Sequence, residues 1–236
     1  MRRLMGQLTL ALLALFSILA AGGIRPALAS PPCATLASDP ANGVAGAPGI
    51  KSASSAIVPA AGANAAYCLV KLLYGTNPNQ NINILVALPL SAADGGQGGM
   101  QGAWNGRTQG VGGGGCAGVA AASPAMLPAV NGGYVASGND LGHSGGNCEP
   151  GVNADGTYNL QFIDDFIRNG IKQQVLLSKS IAKTYYGVRA AYNYWNGCST
   201  GGRQGYLLAQ ELGDELEGIL ANAPASRQSV PQCFRR

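Results

Sequence analysis

The sequence predicts an α/β fold in which a mostly parallel β-sheet is connected by crossover helices. Residues 82–90 (INILVALPL) are apolar and rich in β-branched side chains, as in a buried strand, and a turn-forming segment follows them. Residues 164–186 carry apolar side chains at helical spacing. Residues 188–221 then have the pattern of strand, tight turn, helix and strand. This alternation is typical of parallel sheets, whose ligands gather at the carboxyl ends of the strands.

The N-terminal segment, residues 1–29, has the pattern of a secretory signal peptide. Arg2 and Arg3 precede an apolar run over residues 8–21, and a small-residue cleavage pattern, ALA, ends the segment. A membrane anchor is the alternative, but it needs about 18 or more apolar residues without interruption. We therefore expect a mature chain from near Ser30, a secreted or periplasmic location, and no membrane partner after cleavage.

The charge balance argues against nucleic acid as a partner. The chain has 15 Lys and Arg against 11 Asp and Glu, and the signal peptide contains Arg2, Arg3 and Arg25 but no acid. The mature chain therefore keeps 12 basic and 11 acidic residues, a net charge of +1. Binding to a phosphate backbone requires a basic stripe, which this composition cannot supply.

Cysteines are expected to hold an irregular N-terminal segment. Residues 30–66 are small, polar and punctuated by Pro and Gly. Cys33 and Cys68 flank this segment, so we predict a bridge between them, and Cys116 with Cys148 is a second prediction. No zinc site is expected, because the chain has no C-x₂-C pair and a single histidine, His143. All six cysteines lie in the exported part, where disulfides persist: Cys33, Cys68, Cys116, Cys148, Cys198 and Cys233.

A glycine tract at residues 110–115 (GVGGGG) matches the spacing G-x-G-x-x-G of dinucleotide-binding loops. That fingerprint also requires a preceding strand, a following helix and an acid about 20 residues later. Here Cys116, Pro124 and Pro128 follow instead. We therefore favour a loop that offers backbone N–H donors over a site for NAD.

The second half of the chain supplies the remaining elements. Residues 134–137 predict a short strand that leads into a polar loop. The helix over residues 164–186, in which Gly170 is a possible break, is expected to end at Gly187. Strands over residues 188–195 and 217–221 flank a helix over residues 204–216. Four acidic residues on that helix and at its end are assigned to a solvated face: Glu211, Asp214, Glu215 and Glu217.

The sequence GCSTG at residues 197–201 fits G-x-S-x-G, with a strand before it and a helix after it. In such a turn the serine has a strained backbone, so its neighbours must lack a Cβ atom for Oγ to project above the sheet. The alternative is a small turn that only joins a strand to a helix. Because both elements are placed correctly, we favour Ser199 as a nucleophile.

An oxyanion hole is expected beside Ser199. One donor should be the backbone N–H of Thr200, the residue after the nucleophile. The second should come from an upstream loop that follows an early strand, and Gly113 and Gly114 are the candidates. A carbonyl oxygen can reach these glycine amides because no side chain blocks the approach.

Five segments together resemble the tannase and feruloyl esterase family. The string CSTGGR within residues 197–204 is the most specific of them, and the resemblance runs from about Cys33 to Ala225. Residues 30–225 therefore look like the N-terminal part of an α/β-hydrolase catalytic domain. The segments are residues 104–118, 138–143, Lys183 with 185–187, 197–204 and 218–225.

The resemblance implies a serine carboxylic ester hydrolase that acts on phenolic esters of the feruloyl or galloyl type, with Ser199 as its nucleophile. It also implies that Cys198 bonds a second cysteine beside the catalytic histidine. The family has its acid, its histidine and an inserted lid domain with a structural calcium site far downstream of the serine. This chain is therefore expected to hold no cofactor itself.

The sequence departs from the family pattern after Ser199. No histidine follows Ser199, and residues 226–236 (SRQSVPQCFRR) form a tail that the family lacks. The triad of this fold runs serine, acid, histidine along the chain, so His143 is expected to order its loop and not to act as the base. We therefore expect a truncated or frame-shifted coding sequence, cut before the lid domain and the acid and histidine of the triad, and an inactive product.

Two functions from different classes are compatible with these patterns. The first is a secreted ester hydrolase, of which this chain is the part that bears the nucleophile. The second is a non-catalytic exported remnant, or a binding protein that reuses the cleft. The G-x-S-x-G turn and the glycine tract favour the first, and the missing histidine favours the second for the chain alone.

Overall fold

Within the ranges that the computed structural model describes (residues 30–38, 44–99, 102–116, 126–145 and 151–225), the chain forms a seven-stranded sheet. The strands lie in the order β1-β2-β3-β5-β4-β6-β7. They are β1 (Ile50–Val58), β2 (Tyr67–Tyr74), β3 (Ile82–Pro89), β4 (Arg107–Val111), β5 (Val135–Asn139), β6 (Tyr192–Cys198) and β7 (Gly218–Asn222).

The sheet changes its pairing near its middle. Strands β1, β2, β3 and β5 pair antiparallel, one with the next. From β5 through β4 and β6 to β7, every pair is parallel. The predicted fold class, an α/β sheet with crossover helices, is confirmed, and the antiparallel N-terminal strands extend it.

Helices accompany the sheet on both faces. They are α1 (Cys33–Leu36), α2 (Leu127–Asn131), α3 (Leu160–Asp164), α4 (Gly170–Tyr186) and α5 (Thr200–Glu211), with 3₁₀ turns at Ala92–Asp94 and Gly213–Glu215. The long helix predicted over residues 164–186 is confirmed with a break. A π-helical segment, Asp165–Asn169, separates α3 from α4, and Gly187 ends α4 with φ of 72°.

The prediction of irregular structure over residues 30–66 is wrong in its second half. Strand β1 lies there and pairs with β2 along its length. It is the outer strand of the sheet, and its side chains are mostly exposed, so its sequence shows little apolar alternation. Such an edge strand forms because a neighbour supplies hydrogen bonds, which local sequence does not reveal.

Two boundaries also differ from the predicted ones. Strand β6 begins at Tyr192 instead of residue 188 and continues to Cys198. Helix α5 begins at Thr200, directly after Ser199 as the elbow pattern predicts, and ends at Glu211, before the predicted end at residue 216. Glu211 was assigned to a solvated face, and it pairs there with Arg168 at 2.8 Å and Lys172 at 2.7 Å.

The predicted bridge between Cys33 and Cys68 is confirmed. Cys116 is also disulfide-bonded, and its partner lies outside the described residues. Its proposed pairing with Cys148 stays a prediction, because Cys148 lies outside them too, as does Cys233. Cys198 is free and exposed within the described part of the chain.

Several residues of the family resemblance hold α4 to the rest of the domain. The Tyr185 hydroxyl donates to Asp94 Oδ2 at 2.6 Å, and the same oxygen accepts the N–H of Cys33 at 2.8 Å. Burial, followed by the bond to Asp94, raises the pKa of Tyr185 to about 12. Tyr186 stacks on Trp104 with 4.0 Å between ring centroids. These residues thus stabilise the fold away from the G-x-S-x-G turn.

The signal peptide and the C-terminal tail, residues 1–29 and 226–236, lie outside the described residues, so their predictions stay predictions. Among the helices that are described, none is long and apolar enough to cross a membrane.

Candidate active site

The carboxyl ends of β4 and β6 lie side by side, because the two strands pair in parallel and in register from Arg107 and Tyr192 onward. The chain runs from β4 to β5 on one side and then crosses to β6 on the other side of β4. Ligands of α/β sheets bind at such a change in strand order. The two loops that meet there are the glycine tract after β4 and the turn at Ser199 after β6.

Ser199 has the strained backbone that the sequence predicts. Its φ is 57° and its ψ is −117°, which is a region that side chains other than glycine seldom adopt. The residue is exposed, and it lies directly between the end of β6 and the start of α5. The predicted nucleophile-elbow geometry is therefore confirmed, whereas the catalytic role of Ser199 stays a prediction.

Steric contacts explain the glycines around Ser199. A Cβ atom on Gly197 would lie 2.3 Å from the Gly201 carbonyl oxygen, and one on Gly202 would lie 2.4 Å from the Asn222 carbonyl oxygen. Both obstacles are backbone atoms, which cannot move aside cheaply. The elbow therefore excludes any larger residue at these two positions.

Backbone hydrogen bonds hold Ser199 in place from two sides. Its N–H donates to the Asn222 carbonyl oxygen at 3.1 Å, and its own carbonyl oxygen accepts from Ala225 N–H at 3.0 Å. Both partners belong to β7 or to the residues just after it. The family-like segment that ends at Ala225 thus fixes the backbone of the serine and leaves the side chain exposed.

The glycine tract lies against the elbow. A Cβ atom on Gly112 would be 2.6 Å from the Cα of Gly201, so the two backbones touch. The N–H of Gly113 donates to Gln204 Oε1 at 3.2 Å. Gly114 is exposed and has no atom within 4 Å of the place where a Cβ would stand. Of the two predicted second donors, Gly113 is therefore already engaged, and Gly114 faces open space.

Thr200 N–H, the other predicted donor, is the first amide of α5. The first amides of a helix have no carbonyl within the helix to bond, and the helix dipole adds positive potential there. Its side chain is buried, and Thr200 Oγ1 donates to the Gly115 carbonyl oxygen at 2.8 Å. The structure thus brings Ser199, Thr200 and the glycine tract together.

His143 lies in the loop after β5 and is buried. Its Nε2 forms a short hydrogen bond with the Cys116 carbonyl oxygen, and its ring packs edge-on against Phe162 at 4.9 Å between centroids. These contacts fit the predicted loop-ordering role. In the same loop, burial raises the pKa of Asp140, and hydrogen bonds from Asn83 and Gly142 oppose that shift.

Sequence reasoning missed two residues that build the site. Trp195 is 1% exposed, and its Nε1 donates to the Gly201 carbonyl oxygen at 3.0 Å. Gln204 holds the glycine tract, as described above. The spacing of Gln204, one helical turn after Thr200, is the signal that could have placed it on the buried face of α5.

The disulfide implied for Cys198 has no counterpart within the described residues, where this cysteine is free. No group of three or more His, Cys, Asp or Glu side chains that could hold a metal occurs there either. The calcium site that the resemblance assigns to a lid domain stays a prediction.

A family model described as tannase and feruloyl esterase matches residues 100–235, which is more than half of the chain. The chain belongs to this family. The match includes both loops of the site and confirms the family. It also covers residues 226–235, which the sequence analysis placed outside the resemblance.

Fungal relatives match about half of the chain. A probable feruloyl esterase of Arthroderma benhamiae is 39% identical over 128 residues, which are 52% of this chain and 23% of that protein. Feruloyl esterase B of Aspergillus niger is 30% identical over 122 residues, or 52% of this chain and 22% of that protein. The chain thus spans about a quarter of the length of the relatives it matches.

Solved structures share the fold. Feruloyl esterase B from Aspergillus oryzae superposes with a TM-score of 0.60 at 26% identity, over 75% of this chain and 34% of that one. A tannin acyl hydrolase from Aspergillus niger gives a TM-score of 0.61 at 23% identity, over 75% of this chain and 33% of that one. The α/β-hydrolase type of fold is confirmed on this basis.

Proposed function

We propose that this chain is the nucleophile-bearing part of an exported serine carboxylic ester hydrolase that acts on phenolic esters of the feruloyl or galloyl type. One observation carries the proposal: Ser199 adopts φ of 57° and ψ of −117° between β6 and α5, inside the region that matches the family. A non-glycine residue held at such angles costs about 1–3 kcal/mol, which is expected where function needs the geometry.

The proposed chemistry is acyl transfer in two steps. Ser199 Oγ attacks the ester carbonyl carbon and gives its proton to a base, and the carbonyl oxygen becomes an oxyanion. The Thr200 N–H and a glycine N–H after β4 donate hydrogen bonds to this oxyanion. The alcohol leaves with a proton as the acyl-enzyme forms, and water then releases the acid by the reverse sequence.

The base is the part that these residues do not provide. Within the described ranges, no hydrogen bond joins Ser199 Oγ to a carboxylate or an imidazole. His143 is buried, and its Nε2 is engaged by the Cys116 carbonyl oxygen. A serine hydroxyl without an adjacent base is a weak nucleophile, so we propose that the acid and histidine come from a longer form of the protein.

The substrate class rests on the relatives. The proteins and structures that match are named feruloyl esterases or a tannin acyl hydrolase, and esters of phenolic acids are the class those names share. An exported location fits the Cys33–Cys68 bridge, since disulfides persist in oxidising compartments. The proposal involves no nucleic acid, and the calcium of the family is assigned to the lid domain.

Assays with methyl ferulate and methyl gallate test this function. Residues 30–236 alone should release acid negligibly, whereas a chain extended by the missing acid, histidine and partner cysteine should hydrolyse at least one of the esters. Ser199→Ala should abolish that activity, because loss of a triad serine lowers kcat by about 10⁶-fold. Robust hydrolysis by residues 30–236 that Ser199→Ala abolishes would show that another base is present, with His143 the first residue to substitute. An inactive extended chain would refute the proposal.

A non-catalytic exported protein is the second candidate. The burial and engagement of His143 favour it for this chain alone. Calorimetric titration with ferulic acid distinguishes the two functions: a binding protein would take up the acid with no hydrolysis in either the short or the extended form.

A further inference from the structure

Two side chains of α5 point at the glycine tract from one face of the helix. Thr200 and Gln204 are four residues apart, so they lie one turn from each other on the same side. Both are fully buried, at 0% exposure. Polar side chains seldom take such positions unless they bind a defined partner.

The partners of both side chains are backbone atoms of the glycine tract. Thr200 Oγ1 donates to the Gly115 carbonyl oxygen at 2.8 Å, and Gln204 Oε1 accepts from Gly113 N–H at 3.2 Å. The two hydrogen bonds lie on either side of Gly114. One residue earlier, the N–H of Gly112 donates to the Asn196 carbonyl oxygen at 2.9 Å. The tract is thus fixed on both sides of Gly114, whose own surroundings are open.

The amide of Gln204 is only half used. The side-chain amide of Gln204 must be oriented with its oxygen, Oε1, toward the Gly113 N–H, because an N–H needs an acceptor. In this orientation Nε2 has no hydrogen-bond partner among the described residues. A buried donor without a partner lowers stability, so an apolar side chain of similar length would be the more stable choice. The presence of Gln here therefore points to a task other than packing.

We propose that Thr200 and Gln204 are positioning residues that clamp the glycine tract onto the elbow helix, so that Gly114 N–H, and not Gly113 N–H, is the second oxyanion donor. This inference deepens the proposed function and rests on it for its catalytic meaning. The hydrogen bond to Gln204 makes the Gly113 N–H unavailable to the substrate, and the hydrogen bond from Thr200 fixes the orientation of the Gly115 carbonyl group. The amide between them then has a fixed direction before substrate arrives, as an oxyanion hole requires.

Amide hydrogen exchange in the 236-residue chain, read at single residues, tests the clamp. The Gly113 amide should exchange at least about 10-fold more slowly than the Gly114 amide, because only the former is bonded. Gln204→Met should remove most of that protection without lowering the melting temperature. Thr200→Val should also speed exchange at Gly113, and Thr200→Ser, which keeps the hydroxyl, should not. Gln210→Met is the control, since Gln210 is exposed on the same helix.

Two results would overturn the clamp. One is equal exchange at Gly113 and Gly114 in the unsubstituted chain. The other is a Gln204→Met variant that lowers the melting temperature and speeds exchange throughout the sheet, which is the behaviour of a packing residue. Neither reading depends on ester hydrolysis, so failure of the ester assay and failure of the clamp are distinguishable. Where a longer chain shows Ser199-dependent hydrolysis, Gln204→Met should lower kcat by about 10-fold or more and leave KM nearly unchanged.

Discussion

The backbone of Ser199 combines two demands that oppose each other at a single residue. The side chain must carry a hydroxyl, yet the backbone angles of 57° and −117° are those that glycine adopts most easily. Two backbone hydrogen bonds, one to Asn222 and one from Ala225, keep Ser199 in this conformation. The backbones of Gly197 and Gly201 also lie in close contact on either side of it. The surrounding structure thus opposes relaxation of the turn.

A substitution that relieves the backbone strain at residue 199 should increase the free energy of unfolding. Ser199→Gly should raise the free energy of unfolding relative to Ser199→Ala by about 1 kcal/mol, because Gly adopts the left-handed region without a Cβ penalty. Both variants lack the hydroxyl, so their difference reports on the backbone alone. Chemical denaturation of the two variants gives the value. A Gly variant less stable than the Ala variant would contradict the strained geometry.

At the scale of elements, α5 connects the elbow to the neighbouring helices. Glu211, at its last turn, pairs with Arg168 of the π-helical segment and with Lys172 of α4. Hydrogen bonds from Lys172 first, and then from Arg168, hold the pKa of Glu211 below its ordinary value. One carboxylate thereby joins two consecutive helical pieces, the π-helical segment and α4, to the helix that starts at Thr200.

The stability that Glu211 contributes should depend on pH. Because its pKa is lowered by folding, the contribution is present above the ordinary glutamate pKa of about 4.3 and is lost as pH falls through the lowered value. The pair is partly exposed, so Glu211→Gln should cost less than about 1 kcal/mol near pH 7. The cost should disappear at low pH and shrink in high salt. Asp214→Asn, an exposed neighbour, serves as the control in urea denaturation at each pH, and an equal loss in that variant would contradict a specific role.

At the scale of the whole molecule, long-range contacts tie the N-terminal segment to the antiparallel strands and to the parallel part. The Cys33–Cys68 bridge closes a loop with a sequence separation of 35. Asp94 joins the backbone of Cys33 to Tyr185 at the end of α4. The strand pairing from β3 to β5 completes the link. The site therefore lies on the parallel half, and these contacts support it from a distance.

Loss of this bridge should destabilise the domain as a unit. The double variant Cys33→Ala/Cys68→Ala should lower the free energy of unfolding by about 2–4 kcal/mol, because the bridge restricts the unfolded chain. Cys198→Ala should change it by less than about 0.5 kcal/mol, since Cys198 is free and exposed. Thermal melting of the three proteins compares them. A double variant as stable as Cys198→Ala would show that the bridge adds no stability.

The sequence by itself determined the features that depend on neighbouring residues. The apolar runs at residues 82–90 and 164–186 predicted β3 and the long helix, because burial and periodicity are local properties. The G-x-S-x-G spacing predicted the strained Ser199, and at its first position only glycine tolerates the close approach of the Gly201 backbone. The family resemblance was also readable, since it rests on short strings.

The tertiary structure decided the features that depend on residues far apart in the chain. Strands β1 and β4 were not predicted, because an edge strand and a short glycine-bearing strand gain their hydrogen bonds from neighbours and not from their own pattern. The hydrogen bond between Gly113 and Gln204 could not be predicted either, since the two residues lie 91 positions apart in the sequence. Local sterics can be read along the sequence, whereas long-range pairing is settled only when the sheet brings the loops after β4 and β6 together.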